Sequence, residues 1–360
     1  MKIKPLCFYA VILTSFLTFC NNSHIDNTPA PPIGGYNVYM GHIHNHTAFS
    51  DGKGTPYEAF AYARDIAKMD FLGITDHAEK INNEKWAILA SAADEYNQDN
   101  RFVTFRGFEW SSSSNYGHIA VIETADYCRS DDTATDSFEK LCSWIKSRNG
   151  IAFFNHPGRE DYNNREFNHF TTTPVDNFAG MELWNKKKGF DEFYYNDGYT
   201  TGDGNMGYYD EALQRGWHIG ASGSGDDHSA TWGTKQPFRL AVLARSKTRK
   251  DIITAFRERR FYSTLDLNLS LSFKINKKEM GSRISPGAYM AEIRADDGSE
   301  DDTFISVVLI KNGIIINSWS PGQKNIDITQ NITASTNEYY YIRVKQSDGD
   351  EAISSPIWIE

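Results

Sequence analysis

Apolar positions between Asn37 and about Leu265 alternate between short strand-like runs and segments with helical spacing. The runs predict strands at 37–43, 71–75, 102–105, 118–122, 151–155, 180–184, 217–221 and 240–244. The helical segments are 55–68, 85–96, 137–148, 208–215 and 250–259, and a capping box of Thr55, Pro56 and Glu58 starts the first. This order of strands and helices favours a parallel sheet or barrel in residues 37–265.

After Leu265 the pattern predicts strands alone. They are expected at 267–275, 288–294, 304–311, 314–319, 339–344 and 353–359. Asn312-Gly313 lies between two apolar runs, which is typical of a tight hairpin. Residues 266–360 are therefore predicted to form a small antiparallel β-sandwich domain. This part of the sequence contains neither His nor Cys, so we expect the chemistry in residues 37–265.

The first twenty residues have the pattern of a signal peptide. Lys2 and Lys4 precede the apolar run 6–19, which is shorter than the roughly 20 residues that span a bilayer. Leu17–Cys20 resembles the lipobox of bacterial lipoproteins, which makes Cys20 the predicted lipid anchor. Residues 21–36 are polar and then rich in Pro and Gly, like a tether. We expect an exported protein held to the envelope, periplasmic or surface-facing, by this anchor alone; an ordinary secretory signal is the alternative.

Composition narrows the class of protein further. The chain has 40% hydrophobic residues, enough for a core, and a net charge of −10, which argues against a general nucleic-acid binder. Export also changes how the two internal cysteines are interpreted. Cys128 and Cys142 could form a disulfide in an oxidising compartment, or they could be two unpaired buried thiols.

Histidines and carboxylates concentrate where predicted strands begin or end. The places are His42–Asp51, Asp76-His77, Glu109, His118, His156 and Asp226–His228. His44 and His46 are two apart, so on a strand they point to one face and can chelate one ion. Sites in βα barrels lie where the strands end, so these side chains are predicted to meet at one rim. Imidazole and carboxylate without thiolate suit Zn, Mn or Fe rather than Ca.

These motifs resemble the PHP (polymerase and histidinol phosphatase) family of metal-dependent phosphoesterases. The resemblance covers about residues 37–265 and includes His-x-His with Ser-Asp-Gly, Thr-Asp-His, Gly-x-Glu, Asn-His-Pro and Asp-x-His, in that order. The attached β-domain is similar to that of the secreted branch of the family. The resemblance implies an α/β fold, a distorted seven-stranded (βα) barrel, followed by the all-β sandwich.

The resemblance also implies a site for two to three divalent transition metals. The implied ligand sets are His44, His46, Glu109 and Asp226 for the first metal, Glu109, His118 and His156 for the second, and Asp51, His77 and His228 for the third. Glu109, Asp51 and His228 are the expected catalytic residues. His42 departs from the family pattern and is interpreted either as a residue behind the ligands or as a structural one. Asp76 and Asp227 are expected behind the ligands, accepting hydrogen bonds from histidine N–H groups.

The expected activity is hydrolysis of a small-molecule phosphate ester by a hydroxide that bridges two metals of a trinuclear cluster. Arg159 is the candidate clamp for a phosphate oxygen, although a surface arginine is an equal alternative. Trp110, Trp184, Tyr194, Tyr195 and Trp232 are expected near the rim, beside the organic part of the substrate. Two other functions remain open: a carbamate, ester or amide hydrolase with the same metals, and a surface binding protein whose metals are structural.

Overall fold

The computed structural model describes residues 28–113, 115–159, 161, 163–185, 207–235, 238–298 and 302–360. The predicted signal peptide, Cys20 and residues 21–27 of the tether lie outside the described residues, as do Tyr194 and Tyr195. Among the described helices, none combines the length and the apolar character needed to span a membrane.

Five α-helices and nineteen strands are formed within the described ranges. The helices are α1 (Pro56–Asp65), α2 (Asn83–Tyr96), α3 (Phe138–Arg148), α4 (Tyr208–Gln214) and α5 (Arg249–Arg257). The strands of the first part are β1 (Asn37–His42), β2 (Phe71–Ile74), β3 (Val103–Ser112), β4 (Gly117–Ile122), β5 (Ile151–Asn155), β6 (Phe178–Asn185), β7 (Gly220–Ser224), β8 (Arg239–Ala244) and β9 (Phe261–Thr264). The remaining strands are β10 (Leu269–Ile275), β11 (Lys278–Glu279), β12 (Arg283–Ile284), β13 (Gly287–Asp297), β14 (Phe304–Lys311), β15 (Ile314–Trp319), β16 (Asn325–Ala334), β17 (Glu338–Gln346), β18 (Glu351–Ser354) and β19 (Ile357–Ile359).

The first part of the chain forms a curled, mixed sheet with strand order β9-β8-β1-β2-β3-β4-β5-β6-β7. β1, β2 and β3 are parallel, as are β5, β6 and β7, but β4 is antiparallel to both of its neighbours. Only four residues join β3 to β4, and a parallel pair would need a connection of about a dozen. The α/β class is therefore confirmed at a coarse level, whereas a regular seven-stranded barrel is not.

Helix α5 closes one end of this curled sheet. The Phe256 ring packs against Phe71, Phe105, Phe153 and Phe261, which lie on β2, β3, β5 and β9, with ring centroids 5.6–6.1 Å apart. These ring contacts fill one end of the curled sheet with apolar side chains. It is the end at which the parallel strands β2 and β3 begin. The polar residues predicted to carry the chemistry lie at the opposite end, where these strands finish.

The C-terminal strands are continuous with the first sheet. β18 pairs with β9, and β17, β19, β12, β14 and β15 extend the sheet from there. β10, β11, β13 and β16 form a second sheet of four strands. Val38 and Leu243 of the first sheet share one apolar cluster with Leu271 and Ile293 of the second. Residues 266–360 therefore pack on the first part through both backbone pairing and a common core.

The end of the predicted tether also belongs to this core. Ile33 is buried in the same apolar cluster, and the Ser270 hydroxyl donates a hydrogen bond to the Pro31 carbonyl. Lys274 Nζ donates to the Gly34 carbonyl at 2.9 Å. The backbone at Pro31 and Gly34 is thus held against β10 by side chains of that strand.

Two local predictions are confirmed, whereas the strands β9, β11, β12 and β16 were not predicted. Thr55 and Glu58 form the reciprocal capping box at the start of α1. Asn312 and Gly313 both have positive φ angles, 50° and 77°, in the hairpin that joins β14 to β15. The sequence analysis missed β16 although a strand signal was present, because Ile326, Ile328 and Ile332 alternate with polar residues along it.

The predicted disulfide is not formed, because the structure has Cys128 and Cys142 as free, buried thiols. Cys142 lies on the buried face of α3, and both side chains belong to one apolar cluster. Burial raises the pKa of each thiol to about 12. The alternative interpretation, two structural thiols in the core, therefore describes this pair.

A buried carboxyl group joins α4 to the C-terminal strands. Asp210 is 4% exposed and accepts hydrogen bonds from the hydroxyls of Tyr339, at 2.9 Å, and Tyr341, at 3.1 and 3.2 Å. Burial raises the pKa of Asp210 to about 7, although the Tyr339 hydrogen bond acts in the opposite direction. The folded protein therefore binds this proton more tightly than the unfolded chain does.

We predict that Asp210→Asn removes a pH-dependent part of the stability. The contribution of Asp210 is complete below its unfolded pKa, near 4, and is lost as pH rises through about 7. One pKa unit corresponds to about 1.4 kcal/mol. Between pH 4 and 8 the free energy of unfolding of the wild type should therefore fall by up to a few kcal/mol relative to that of the variant. Denaturant unfolding at several pH values measures this difference; parallel profiles for the two proteins would contradict it.

Candidate metal centre

Backbone hydrogen bonds beyond the strand ends bring the predicted motifs together. His46 N–H donates to the Asp227 carbonyl and Asp226 N–H to the His44 carbonyl, both at 3.1 Å, which joins the ends of β1 and β7. Glu109 N–H donates to the Asp76 carbonyl at 3.0 Å, which aligns β3 with the end of β2. The side chains that follow these strands therefore enter one shared volume.

Glu109 lies at the centre of this volume, and its two carboxylate oxygens face different histidines. Oε1 is 3.1 Å from His44 Nε2 and 3.2 Å from His118 Nδ1. Oε2 is 2.8 Å from His77 Nδ1 and 3.5 Å from His46 Nε2. The side chain has no exposed surface. One carboxylate thus contacts two pairs of imidazoles, so Glu109 is a candidate for a ligand shared by two metals.

The candidate ligands form four overlapping groups among the described residues. Within each group, one ligand atom per residue lies within 4.8 Å of the others. The groups are His46, Asp51, His77 and His228; His44, His156 and Asp226; His44, His46 and Glu109; and His77, Glu109 and His118. All nine residues implied by the motif resemblance are included, and their mixed nitrogen and oxygen donors fit divalent transition metals.

The grouping differs in detail from the implied ligand sets. The set of Asp51, His77 and His228 is brought together with His46 as a fourth member. His156 groups with His44 and Asp226, although its Nε2 also lies 3.5 Å from Glu109 Oε1. His46 therefore lies between two groups, which the sequence pattern alone did not indicate.

The charges of the site are balanced by mutual contact. Burial alone would raise the pKa of Glu109, but His118, His44 and His77 hold it well below its usual value. Burial would lower the pKa of His44, but Glu182, Glu109 and Asp226 hold it well above its usual value. Protons and metal ions would consequently compete for the same imidazole nitrogens.

His156 and Asp226 both lie at positive φ, 30° and 45°, which is unusual for residues other than glycine. Burial and then the nearby Arg159 guanidinium hold the pKa of His156 well below its usual value. Strained backbone of this kind persists only where the surrounding contacts impose it. Here the strain turns both side chains into the shared volume.

Asp76 and Asp227 take positions different from those expected. Asp76 accepts hydrogen bonds from the backbone and hydroxyl of Thr47, at 2.7 and 2.6 Å, and from the Ser50 hydroxyl. Asp227 accepts from the backbone of Ser229 and from Thr231. Both carboxylates brace the loops that carry ligands instead of accepting from histidine N–H groups.

His42 lies behind the site. It is fully buried, its Nε2 is 2.8 Å from the Phe238 carbonyl, and burial followed by Arg239 lowers its pKa to about 3. It belongs to none of the candidate ligand groups found among the described residues. Its structural role stays a prediction, and metal binding by a variant tests it.

Arg159 lies at the edge of the site rather than on an unrelated surface. Its guanidinium donates to Asp226 Oδ2 at 2.8 Å and to Asn185 Oδ1.

The aromatic residues expected at the rim are placed differently: Trp110, Trp184 and Trp232 are buried in the core. Trp232 Nε1 donates to the His46 carbonyl at 2.9 Å, so this ring supports a ligand loop and is not available for stacking.

Two site residues were missed by the sequence analysis. Asn155 Nδ2 donates to Glu109 Oε1 at 2.8 Å and fixes the central carboxylate. Glu182 is 1% exposed, and its Oε1 lies 2.8 Å from His44 Nδ1. A signal for Glu182 was present, because a single carboxylate inside an apolar strand is costly to bury unless it has a specific partner.

Comparison with known proteins gives one family match and distant relatives. A family described as "Protein of unknown function (DUF3604)" matches residues 57–144. An uncharacterized protein of Chlamydia pneumoniae is 20% identical over 358 residues, covering 90% of this chain and 57% of the relative. The chain thus spans little more than half the length of that relative.

Solved structures with some likeness to this chain include two proteins from different organisms. One is a two-domain protein of Bacteroides vulgatus containing a predicted PHP-like metal-dependent phosphoesterase, with 14% identity and a TM-score of 0.48, covering 88% of this chain and 93% of that one. Another is a lesion-specific endonuclease of Pyrococcus furiosus, with 10% identity and a TM-score of 0.37, covering 62% of this chain and 56% of that one.

We predict that His44→Ala loses metal affinity while His42→Ala retains it. His44 shares a ligand group with Glu109 and another with Asp226, whereas His42 faces the Phe238 carbonyl. His44→Ala should bind Zn²⁺ or Mn²⁺ at least about tenfold more weakly, measured by competition with a chromogenic chelator. His169→Ala, a change at a histidine paired with Asp161, is the matched control. Equal metal loss in His42→Ala and His44→Ala would show that the ligands are assigned wrongly.

Proposed function

We propose that this protein is a metal-dependent hydrolase of small-molecule phosphate esters. The observation that carries the proposal is the position of Glu109, whose two oxygens face two pairs of histidines inside a cluster of nine candidate ligands. Sites that only stabilise a fold are usually closed around single ions. A shared carboxylate between adjacent imidazole groups instead favours several metals acting together on one substrate.

Divalent metals held by these residues would lower the pKa of a bound water and neutralise charge on phosphoryl oxygens. The chain's own contribution is to hold the ligands. Asn155 fixes Glu109, and the Asp76 carboxylate holds Thr47 and Ser50, so the loop after His46 keeps its shape. Ser111 Oγ lies 2.6 Å from His77 Nδ1 and restricts that ring.

The exposed side of the cluster gives the direction of substrate entry. Asp51 and His228 side chains are 40% and 29% exposed, whereas those of His44 and Glu109 are at most 1% exposed. Asp51 Oδ1 lies 3.4 Å from His228 Nε2, and Lys80 Nζ lies 3.4 Å from Asp51 Oδ2. A substrate would therefore meet the group containing Asp51, His77 and His228 first.

Charge favours an anionic substrate over a neutral one. Three divalent ions beside Asp51, Glu109 and Asp226 would leave about +3 with neutral imidazoles. Glu182, Asp76 and Asp227 add three carboxylates, and Arg159 and Lys80 add two cations, so the site stays positive at about +2. A positive site inside a protein of net charge −10 focuses its field on incoming anions such as phosphate esters.

The proposal is tested with metal-loaded protein and paired aryl substrates. Aryl phosphate monoesters and diesters are compared with neutral aryl carbamates and carboxyl esters that release the same phenol. We predict turnover of a phosphate ester, competitive inhibition by inorganic phosphate, and a loss of more than about 100-fold in kcat/KM for Glu109→Gln. His169→Ala should retain the activity.

If neutral carbamates or carboxyl esters are turned over and phosphate does not inhibit, the proposed phosphate esterase activity is wrong. The protein would then be a carbamate, ester or amide hydrolase with the same metals. Tight metal binding with no turnover of any substrate in either series would favour a binding protein with structural metals.

A further inference from the structure

Glu182 makes three contacts from a wholly buried position on β6. Its Oε1 accepts from His44 Nδ1 at 2.8 Å. Its Oε2 accepts from the backbone N–H of His156 at 2.8 Å and from Asn185 Nδ2 at 2.8 Å. Glu182 is not part of the motifs that resemble the PHP family, and it belongs to none of the candidate ligand groups among the described residues. It nevertheless contacts two of the candidate ligands.

The first contact determines which nitrogen of His44 can bind a metal. A carboxylate oxygen accepts hydrogen bonds, so the proton of the His44 ring lies on Nδ1. The lone pair of Nε2 then points into the cluster, where Glu109 Oε1 and His46 Nε2 are both 3.1 Å away. Contacts of this kind orient metal-binding histidines and raise their basicity.

The other oxygen of Glu182 leads towards Arg159. Asn185 donates to Glu182 through Nδ2, which leaves its Oδ1 to accept from the Arg159 guanidinium. Arg159 also donates to Asp226 Oδ2 at 2.8 Å. The chain of contacts therefore runs from a metal-binding imidazole, through one carboxylate and one amide, to the residue expected to meet phosphate.

We propose that Glu182 is a positioning residue that sets the His44 tautomer for metal binding and, through Asn185, the orientation of Arg159 towards an anionic substrate. Only the Arg159 half of this inference rests on the proposed function. The His44 half concerns metal binding and can be tested without any substrate.

The first experiment compares Glu182→Gln with Glu166→Gln. Glu166 is a matched control, since it is also fully buried and accepts a hydrogen bond from a backbone N–H, that of Gly158, at 2.6 Å. It lies outside every candidate ligand group of the described residues. In Glu182→Gln the new amide can still accept from His156 N–H, but it offers a donor to His44 Nδ1. The ring proton should then move to Nε2, and Zn²⁺ affinity should fall about 10–100-fold.

Long-range ¹H–¹⁵N NMR of the Zn²⁺-loaded wild type gives a readout that does not depend on any variant folding. The inference predicts a His44 proton on Nδ1 and none on Nε2. A proton on Nε2 would overturn it. Equal losses of Zn²⁺ affinity in Glu182→Gln and Glu166→Gln, or no loss in Glu182→Gln, would also overturn it, because a merely structural carboxylate predicts those results.

The second experiment uses Asn185→Ala, which interrupts the contact to Arg159 while leaving His44 bound to Glu182. We expect unchanged Zn²⁺ affinity and at least threefold weaker binding of inorganic phosphate to the Zn²⁺-loaded protein, measured by calorimetry. Unchanged phosphate affinity would refute the Arg159 half. If the wild type itself binds no phosphate, the proposed function fails, and the His44 half is still decided by the tautomer.

Discussion

A carboxylate without exposed surface, Glu109, is the group on which the rest of the candidate site depends. Burying it is unfavourable unless charged or hydrogen-bonding partners surround it. His44, His77 and His118 provide that charge, and Asn155 provides a hydrogen bond. Each partner comes from a different strand or strand end, so the demand for partners constrains how β1 to β5 are aligned. The backbone hydrogen bonds from Glu109 to Asp76 and from Asp226 to His44 join neighbouring strand ends in the same alignment.

The convergence of the ligands could be predicted because it depends on local rules. His44 and His46 share a face through the two-residue period of extended chain, and parallel strands place their ends along one edge. The partition of ligands into groups could not be predicted. It depends on side-chain directions, such as that of His156, whose positive φ no sequence pattern indicated.

The predicted elements were most accurate where one local signal decides the structure. The capping box at Thr55 and the Asn312-Gly313 turn are examples. The antiparallel β4 was not foreseen, since strand direction depends on the short connection that follows β3. The continuity of β18 with β9 was also not foreseen, because pairing between distant strands leaves no trace in either apolar pattern. The division into two domains therefore stays a prediction, while the sheet itself crosses the proposed boundary.

The most direct test of the shared carboxylate is anomalous diffraction from crystals loaded with Mn²⁺ or Zn²⁺. The account predicts at least two anomalous peaks, one within about 2.0–2.2 Å of each Glu109 oxygen, with His44 among the ligands of one and His77 among the ligands of the other. A single peak, or peaks that leave the Glu109 carboxylate unbound, would contradict the central role given to this residue.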